Sequence, residues 1–143
     1  MILLQRFALG FIATFGFSHF FKAPKNIIFK NSCVGGLGLV VFSTLQFVMQ
    51  SPLVNTLVAS LVVSLFGEFL ARKLHIPATT VIYPSITPLV PGAGMYYTMY
   101  NLVNKDFMSF IATGTETFMI ASGLALGIIT SSVITKIIIA PRP

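Results

Sequence analysis

The sequence predicts an all-α fold, a polytopic membrane helix bundle of about five transmembrane helices with the fourth broken by proline and glycine. Three observations carry that expectation. Of the 143 residues, 55% are hydrophobic and 8% charged, and the mean hydropathy is +0.91. So few charges cannot coat a water-facing surface, which excludes an ordinary soluble domain. Apolar runs recur at the length a hydrocarbon crossing requires, about 20 residues. One of those runs contains Tyr83-Pro84-Ser85-Ile86-Thr87-Pro88-Leu89-Val90-Pro91-Gly92-Ala93-Gly94-Met95-Tyr96-Tyr97. Its prolines remove backbone donors and its glycines loosen the rest. In hydrocarbon every N–H and C=O must find a partner, so this segment cannot be a plain lipid-facing helix. Broken backbone is tolerated there only where it is buried in protein or lines a watery cavity.

The spans follow in order. The first covers about 2–21 and ends in the bulky Ser18-His19-Phe20-Phe21-Lys22, which lacks the small-residue cleavage site of a secretory signal; a retained span is expected. The second covers about 32–49 and holds the single cysteine, Cys33, so no internal disulfide is expected. The third, about 53–71, follows the turn Gln50-Ser51-Pro52. The broken segment is the fourth, about 79–103, and the fifth runs about 107–139. As helix that last stretch would be roughly 50 Å long against a hydrocarbon core of about 30 Å, so part of it should be interfacial, tilted or interrupted. Residues 1–143 read as a single transmembrane domain with little left for loops. A bundle this small would not enclose a solute pathway alone, which predicts a partner subunit, a homo-oligomer, or both.

The net charge of +6 comes from nine Lys and Arg against three acids. The bases flank apolar runs, so topology and lipid contact explain them and no nucleic-acid partner is expected. With five spans, Lys22, Lys25, Lys30, Arg72, Lys73, Lys136 and Arg142 share one side and Arg6 and Lys105 the other. The positive-inside rule then places the N-terminus outside and the C-terminus in the cytoplasm, in the cell membrane. A re-entrant fourth segment would move Lys105 across and weaken that asymmetry.

Within the broken segment Pro84, Pro88 and Pro91 fall near one helical face, and Pro91-Gly92-Ala93-Gly94 reads as an unwound hinge. Freed carbonyls and helix-end N–H groups there suit a small polar solute. Ser85 and Thr87 add hydroxyls before the break; Gly94, Tyr96 and Tyr97 follow it, and Tyr83 precedes it. A packing kink with interfacial tyrosines accounts for the same residues. Glu116 shares a helical face with Ser109, Thr113, Gly123 and Gly127. A carboxylate in hydrocarbon normally faces protein or water, so Glu116 is either a proton carrier or gate, or an acid at the outer interface. Gly123 and Gly127 have the spacing of close helix packing. Glu68 and Arg72 stand four apart at the end of the third span, as an interfacial ion pair or an inner gate. His19, His75 and Cys33 have no metal-ligand spacing, so neither a metal nor another cofactor is expected.

Two stretches carry a resemblance. Phe66-Gly67-Glu68-Phe69-Leu70-Ala71-Arg72 leads into Ile76-Pro77-Ala78-Thr79 and then Ile82-Tyr83-Pro84-Ser85-Ile86-Thr87-Pro88-Leu89-Val90-Pro91-Gly92. This run resembles the C-terminal half, or separate small subunit, of the threonine/serine exporter family. Phe21-Lys22-Ala23-Pro24-Lys25 and Gly35-Gly36-Leu37-Gly38 are similar to the small-subunit form. The resemblance implies a five-span module working with a larger membrane subunit in proton-motive export of threonine and serine. In some two-component members the implied substrate is a dicarboxylate such as succinate. The motif positions to which it applies are Glu68, Arg72, Pro84, Pro88, Pro91 and Gly92.

Two other classes compete with a transporter subunit. One is a structural or assembly subunit that never meets solute; the other is a small holin-like pore. No Ser/His/Asp or Cys/His constellation is assembled by the spacing, so the chain reads as a non-enzyme. No Gly-x-x-x-x-Gly-Lys-Ser/Thr loop occurs, which excludes ATP binding by that route.

Overall fold

The computed structural model describes residues 2–139. Every regular element among them is helical: α1 (Ile2–Phe20), α2 (Lys25–Val48), α3 (Pro52–Lys73), α4 (Thr79–Ile86), a 3₁₀ turn (Thr87–Leu89), α5 (Gly92–Val103) and α6 (Phe107–Ile139). Four helices, α1, α2, α3 and α6, are long and apolar enough to cross a membrane. The fourth predicted segment is two shorter helices, of 8 and 12 residues, which rise about 12 and 18 Å. Helix α2 starts at Lys25, seven positions before the expected Ser32, because Lys25 and Lys30 occupy its first turns and hide them from a hydropathy count. Arg142, counted above with the basic side, lies outside the described residues.

Small residues set the packing. Helices α1 and α2 form an antiparallel hairpin in which Gly35 faces Thr14 and Gly10 faces the Gly35 carbonyl and the Gly36 Cα. Helices α3 and α6 run parallel. Gly123 lies against Leu53 and Leu57, Gly127 against Leu57 and Ser60, and Ser132 against Glu68. Along this seam α6 presents Gly123, Gly127, Ser131 and Thr135, and α3 presents Thr56, Ser60, Ser64 and Glu68, each one helical turn apart. Small side chains let the backbones approach, the main source of helix association where lipid is as apolar as the protein. Ser60 Oγ–H is shared between the carbonyls of Leu57 (3.1 Å) and Gly123 (3.4 Å), fixing the register. Between α2, α3 and the broken segment sits a core of Val34, Ala59, Val63, Ile82, Ile86 and Leu89.

These directions gather Lys22, Lys25, Lys30, Arg72, Lys73 and Lys136 at one end of the bundle, with Arg6 and Lys105 at the other. Helices α1, α3 and α5 end alike. Lys22, His75 and Lys105 adopt φ of 54°, 54° and 60°. The next amide closes back on the carbonyl five residues earlier: Ala23 on Ser18, Ile76 on Ala71 and Asp106 on Asn101. Glycine usually takes this left-handed position. A Lys or His there instead sets a basic group beside the negative end of the helix dipole.

Helix α6, at 33 residues, outruns the 22 residues of α3. Its first half extends past the start of α3, and there α5 is the helix packed along it. Asp106 begins α6: the Ser109 amide donates to Asp106 Oδ1 at 3.2 Å and the Phe110 amide to the Asp106 carbonyl at 2.9 Å. Hydrogen bonds from the Ser109 hydroxyl and then its amide hold the Asp106 carboxyl below the ordinary carboxylate range. A depressed pKa stabilises the folded helix start above the unfolded pKa, and that support fades as pH falls through the lower folded value. Acidification through this range should therefore loosen the first turn of α6, read as faster amide exchange at Ser109 and Phe110. Asp106→Asn should abolish that pH response; an unchanged response would remove Asp106 as its source.

Candidate functional site

The break is built from three consecutive backbone effects. Pro84 sits inside α4 and cannot donate to the carbonyl one turn back, that of Thr80. Asn31, fully buried on α2, supplies the missing donor: its Nδ2 donates to the Thr80 carbonyl at 3.1 Å. Ser85 Oγ–H donates to the Asn31 carbonyl at 3.1 Å, so the two segments are bonded twice. Pro88 then tightens the chain into the 3₁₀ turn, and Val90 turns extended (φ −68°, ψ 130°). Pro91 precedes α5, which begins at Gly92. The hinge therefore lies at Val90 and Pro91. Gly92 to Gly94, expected to be unwound, form the first turn of α5, because a proline with its fixed φ starts a helix as readily as it stops one.

The first turn of α5 has no side-chain cap. The Gly92 N–H turns back to the Val90 carbonyl (2.8 Å) and the Met95 N–H to the Pro91 carbonyl (3.0 Å), which leaves the Ala93 and Gly94 N–H groups and the positive end of the dipole open to a ligand. They face a cleft of about 350 Å³ lined by Val90 to Gly94, Tyr97, Thr113, Glu116, Thr117 and Ile120. That volume is at the small end of the range for ligand pockets, roughly 300–1,000 Å³. A Cβ at Gly94 would strike Thr117 Oγ1, whereas one at Gly92 would meet nothing within 4 Å. Gly94 thus lets α5 seat on α6, and Gly92 leaves the cleft open. Thr98 and Asn101 continue the seat, each 3.4 Å from Thr113 Oγ1.

The structure brings Pro91, Gly92, Gly94 and Tyr97 together with Glu116. The other residues of the predicted pathway set lie elsewhere. Tyr83 is exposed near the Phe21 ring, 6.4 Å between centroids. Pro84 and Ser85 are buried in α4, Pro88 is in the 3₁₀ turn, and Thr87 Oγ–H donates back to the Tyr83 carbonyl at 2.8 Å. Tyr96 does not line the cleft; it stacks on Tyr100 and meets Tyr97 edge-on. The half-helices explain the division, since residues before the 3₁₀ turn belong to the α2–α3 core and those after it to α6.

Glu68 and Arg72 are also remote from Glu116. Along α3, Glu68 is some 20 Å from the end near Glu116, at 1.5 Å per residue. It is 7% exposed; Ser132 Oγ–H donates to its Oε1 at 3.0 Å, and Arg72 Nη2 lies 3.8 Å from Oε2. Gly123 and Gly127 are buried against α3. Asn31 and Asn55 were missed in the sequence, although an amide inside an apolar run is a signal that it faces protein.

The family described as "Threonine/Serine exporter, ThrE" matches residues 6–134. The chain belongs to the threonine/serine exporter family. A threonine/serine exporter of Corynebacterium glutamicum is 30% identical over 95 residues, which are 66% of this chain and 19% of that protein. The chain thus spans about a fifth of the length of this curated relative. No solved structure matches. Family membership and the four long apolar helices make this a membrane protein of an exporter family.

Proposed function

We propose that the chain is a membrane subunit of a secondary, proton-motive-driven exporter of small hydrophilic metabolites, threonine and serine first among them. It works with a larger membrane subunit that supplies the rest of the pathway. The single observation that carries this reading is the cleft where the uncapped start of α5 faces Glu116. A helix start receives a carboxylate, and an acid beside it is placed to receive a cation or a proton. The family supports export as the activity. Only a fifth of the longer relative is represented here, which is room for a second half. The basic end, with Lys22, Lys25, Lys30, Arg72, Lys73 and Lys136, faces the cytoplasm, and the α5–α6 turn with Lys105 faces outward. Glu68 and Arg72 then sit at the inner mouth.

Gly92→Leu tests the pathway with little burden on the fold, because a Cβ there meets nothing within 4 Å and the side chain extends from a residue that lines the cleft. Efflux of threonine from cells carrying the exporter should fall at least tenfold while the amount of inserted protein stays at the wild-type level. Wild-type efflux from normally inserted Gly92→Leu would sink the reading and favour an assembly subunit.

A further inference from the structure

A second cleft, of about 320 Å³, adjoins the first, and Glu116 and Ile120 line both. Its polar walls come from the α2–α3 corner: Gln46, Gln50 and Asn55. Asn55 is only 2% exposed. Its Nδ2 donates to the Met49 carbonyl at 3.0 Å, which leaves Oδ1 buried and without a hydrogen-bond partner. A buried acceptor in this state calls for a donor.

The chemistry of the walls selects that donor. Glu116 offers two carboxyl oxygens as acceptors, and the Asn55 amide oxygen only accepts. Among the described residues, no Lys or Arg lines either cleft. The Gln46 and Gln50 amides both donate and accept, so Glu116 is the one formally charged group among the described residues of this cleft, and with the Asn55 oxygen it suits a compact cation; a primary ammonium supplies three N–H groups. The first cleft ends on the Ala93 and Gly94 N–H groups at the start of α5, a pole that suits an anion. Glu116 lines both clefts, so a ligand reaching both poles carries an ammonium and a carboxylate. A dicarboxylate would bring its second anion against Glu116 with no cation to offset it.

We propose that Asn55 and Glu116 form an ammonium subsite, which makes the cleft selective for amino-acid zwitterions over dicarboxylates. The proposal rests on the break being the solute pathway and assigns the polarity of that pathway. Its specificity-determining residues are Asn55 on α3 and Glu116 on α6, and its carboxylate is held at the start of α5.

The test is transport of labelled L-threonine into everted membrane vesicles from host cells expressing the full chain together with its larger membrane subunit. Unlabelled succinate and N-acetyl-L-threonine, which lacks the ammonium, serve as competitors. Losing one charge-assisted contact should raise the KM for L-threonine about tenfold or more in Glu116→Gln and in Asn55→Leu. Asn55→Asp keeps the acceptor and the shape but gives up the Nδ2 bond to the Met49 carbonyl, so its inserted amount should fall somewhat while the KM of the inserted protein stays at or below the wild-type value. Succinate should not compete, and the weak competition by N-acetyl-L-threonine should be the same in wild type and Glu116→Gln. If Asn55→Leu fails to accumulate, Glu116→Gln and Asn55→Asp decide. Unchanged KM in Glu116→Gln, or succinate competing as well as unlabelled L-threonine, overturns the subsite. An inactive Gly92→Leu beside an unaffected Glu116→Gln keeps the pathway and removes only the subsite; an active Gly92→Leu removes both.

Discussion

Gly127→Leu should cost this protein most of its folded population, and Gly16→Leu should cost nothing measurable. A Cβ at Gly127 would lie 2.6 Å from the Leu57 carbonyl oxygen and 2.9 Å from the Leu61 amide nitrogen, and would also strike Ser60 Oγ. Two of these neighbours are backbone, so they cannot rotate aside as a side chain can. The helices must separate, which breaks the Ser60 to Gly123 hydrogen bond and the small-residue contacts on both sides of it. Overpacking costs about 1–3 kcal/mol in well-packed cores, sometimes more. Here a bulkier residue is driven into the longest seam of the bundle, and no hydrophobic force restores the contact in lipid. We expect about 3 kcal/mol or more, a large part of a typical stability of about 5–15 kcal/mol. Gly16 has nothing within 4 Å of its Cβ position, so leucine there enters open space. Thermal unfolding in detergent, followed by size-exclusion profile, compares the two. Equal midpoints for Gly127→Leu and wild type would mean that α3 and α6 do not meet as described.

The α6 half of this seam was legible in the sequence because Gly123 and Gly127 repeat at one helical turn. The α3 half repeats at the same period, as Thr56, Ser60, Ser64 and Glu68, but serine and threonine are common in helices and carry a weaker signal than paired glycines. Long apolar helices could be read off directly, since hydropathy and length are local properties. The break could be read as well, because proline removes a donor wherever it stands. Where the helix resumes could not. That depends on whether Pro91 closes one helix or opens another, and both are consistent with its geometry. The pairing of Glu116 with the Pro91–Gly94 segment rests on α5 folding back along α6, a consequence of the three-residue turn at Asn104–Asp106. Glu68 looked equivalent to Glu116 as an acid in an apolar run. Only the direction of α3 shows that they belong to opposite ends.

Asn31→Leu should loosen α4 from the bundle, and removing Pro84 should relieve much of that damage. The two residues are 53 positions apart and share one carbonyl, that of Thr80. Pro84 leaves it without its helical donor, and Asn31 Nδ2 fills the gap at 3.1 Å. Leucine at position 31 leaves the Thr80 carbonyl unpaired, which costs about 1–3 kcal/mol for a buried acceptor. Crowding against α4 adds to this, while loss of the unpartnered Asn31 Oδ1 gives some back. The net expectation is about 2 kcal/mol of destabilisation. Pro84→Ala restores a backbone N–H four residues after Thr80, so the carbonyl regains a partner within α4. In that background Asn31→Leu should cost at least about 1 kcal/mol less, a coupling that residues sharing a partner show and independent sites do not. Denaturant unfolding of wild type, both single variants and the double variant measures it. Strict additivity would mean that Asn31 holds α4 by packing alone. The coupling has a functional side as well. Position and slope of α4 set where Pro91 delivers the start of α5, so Asn31→Leu should depress threonine efflux further than its loss of folded protein explains, whereas Gly16→Leu should leave both untouched.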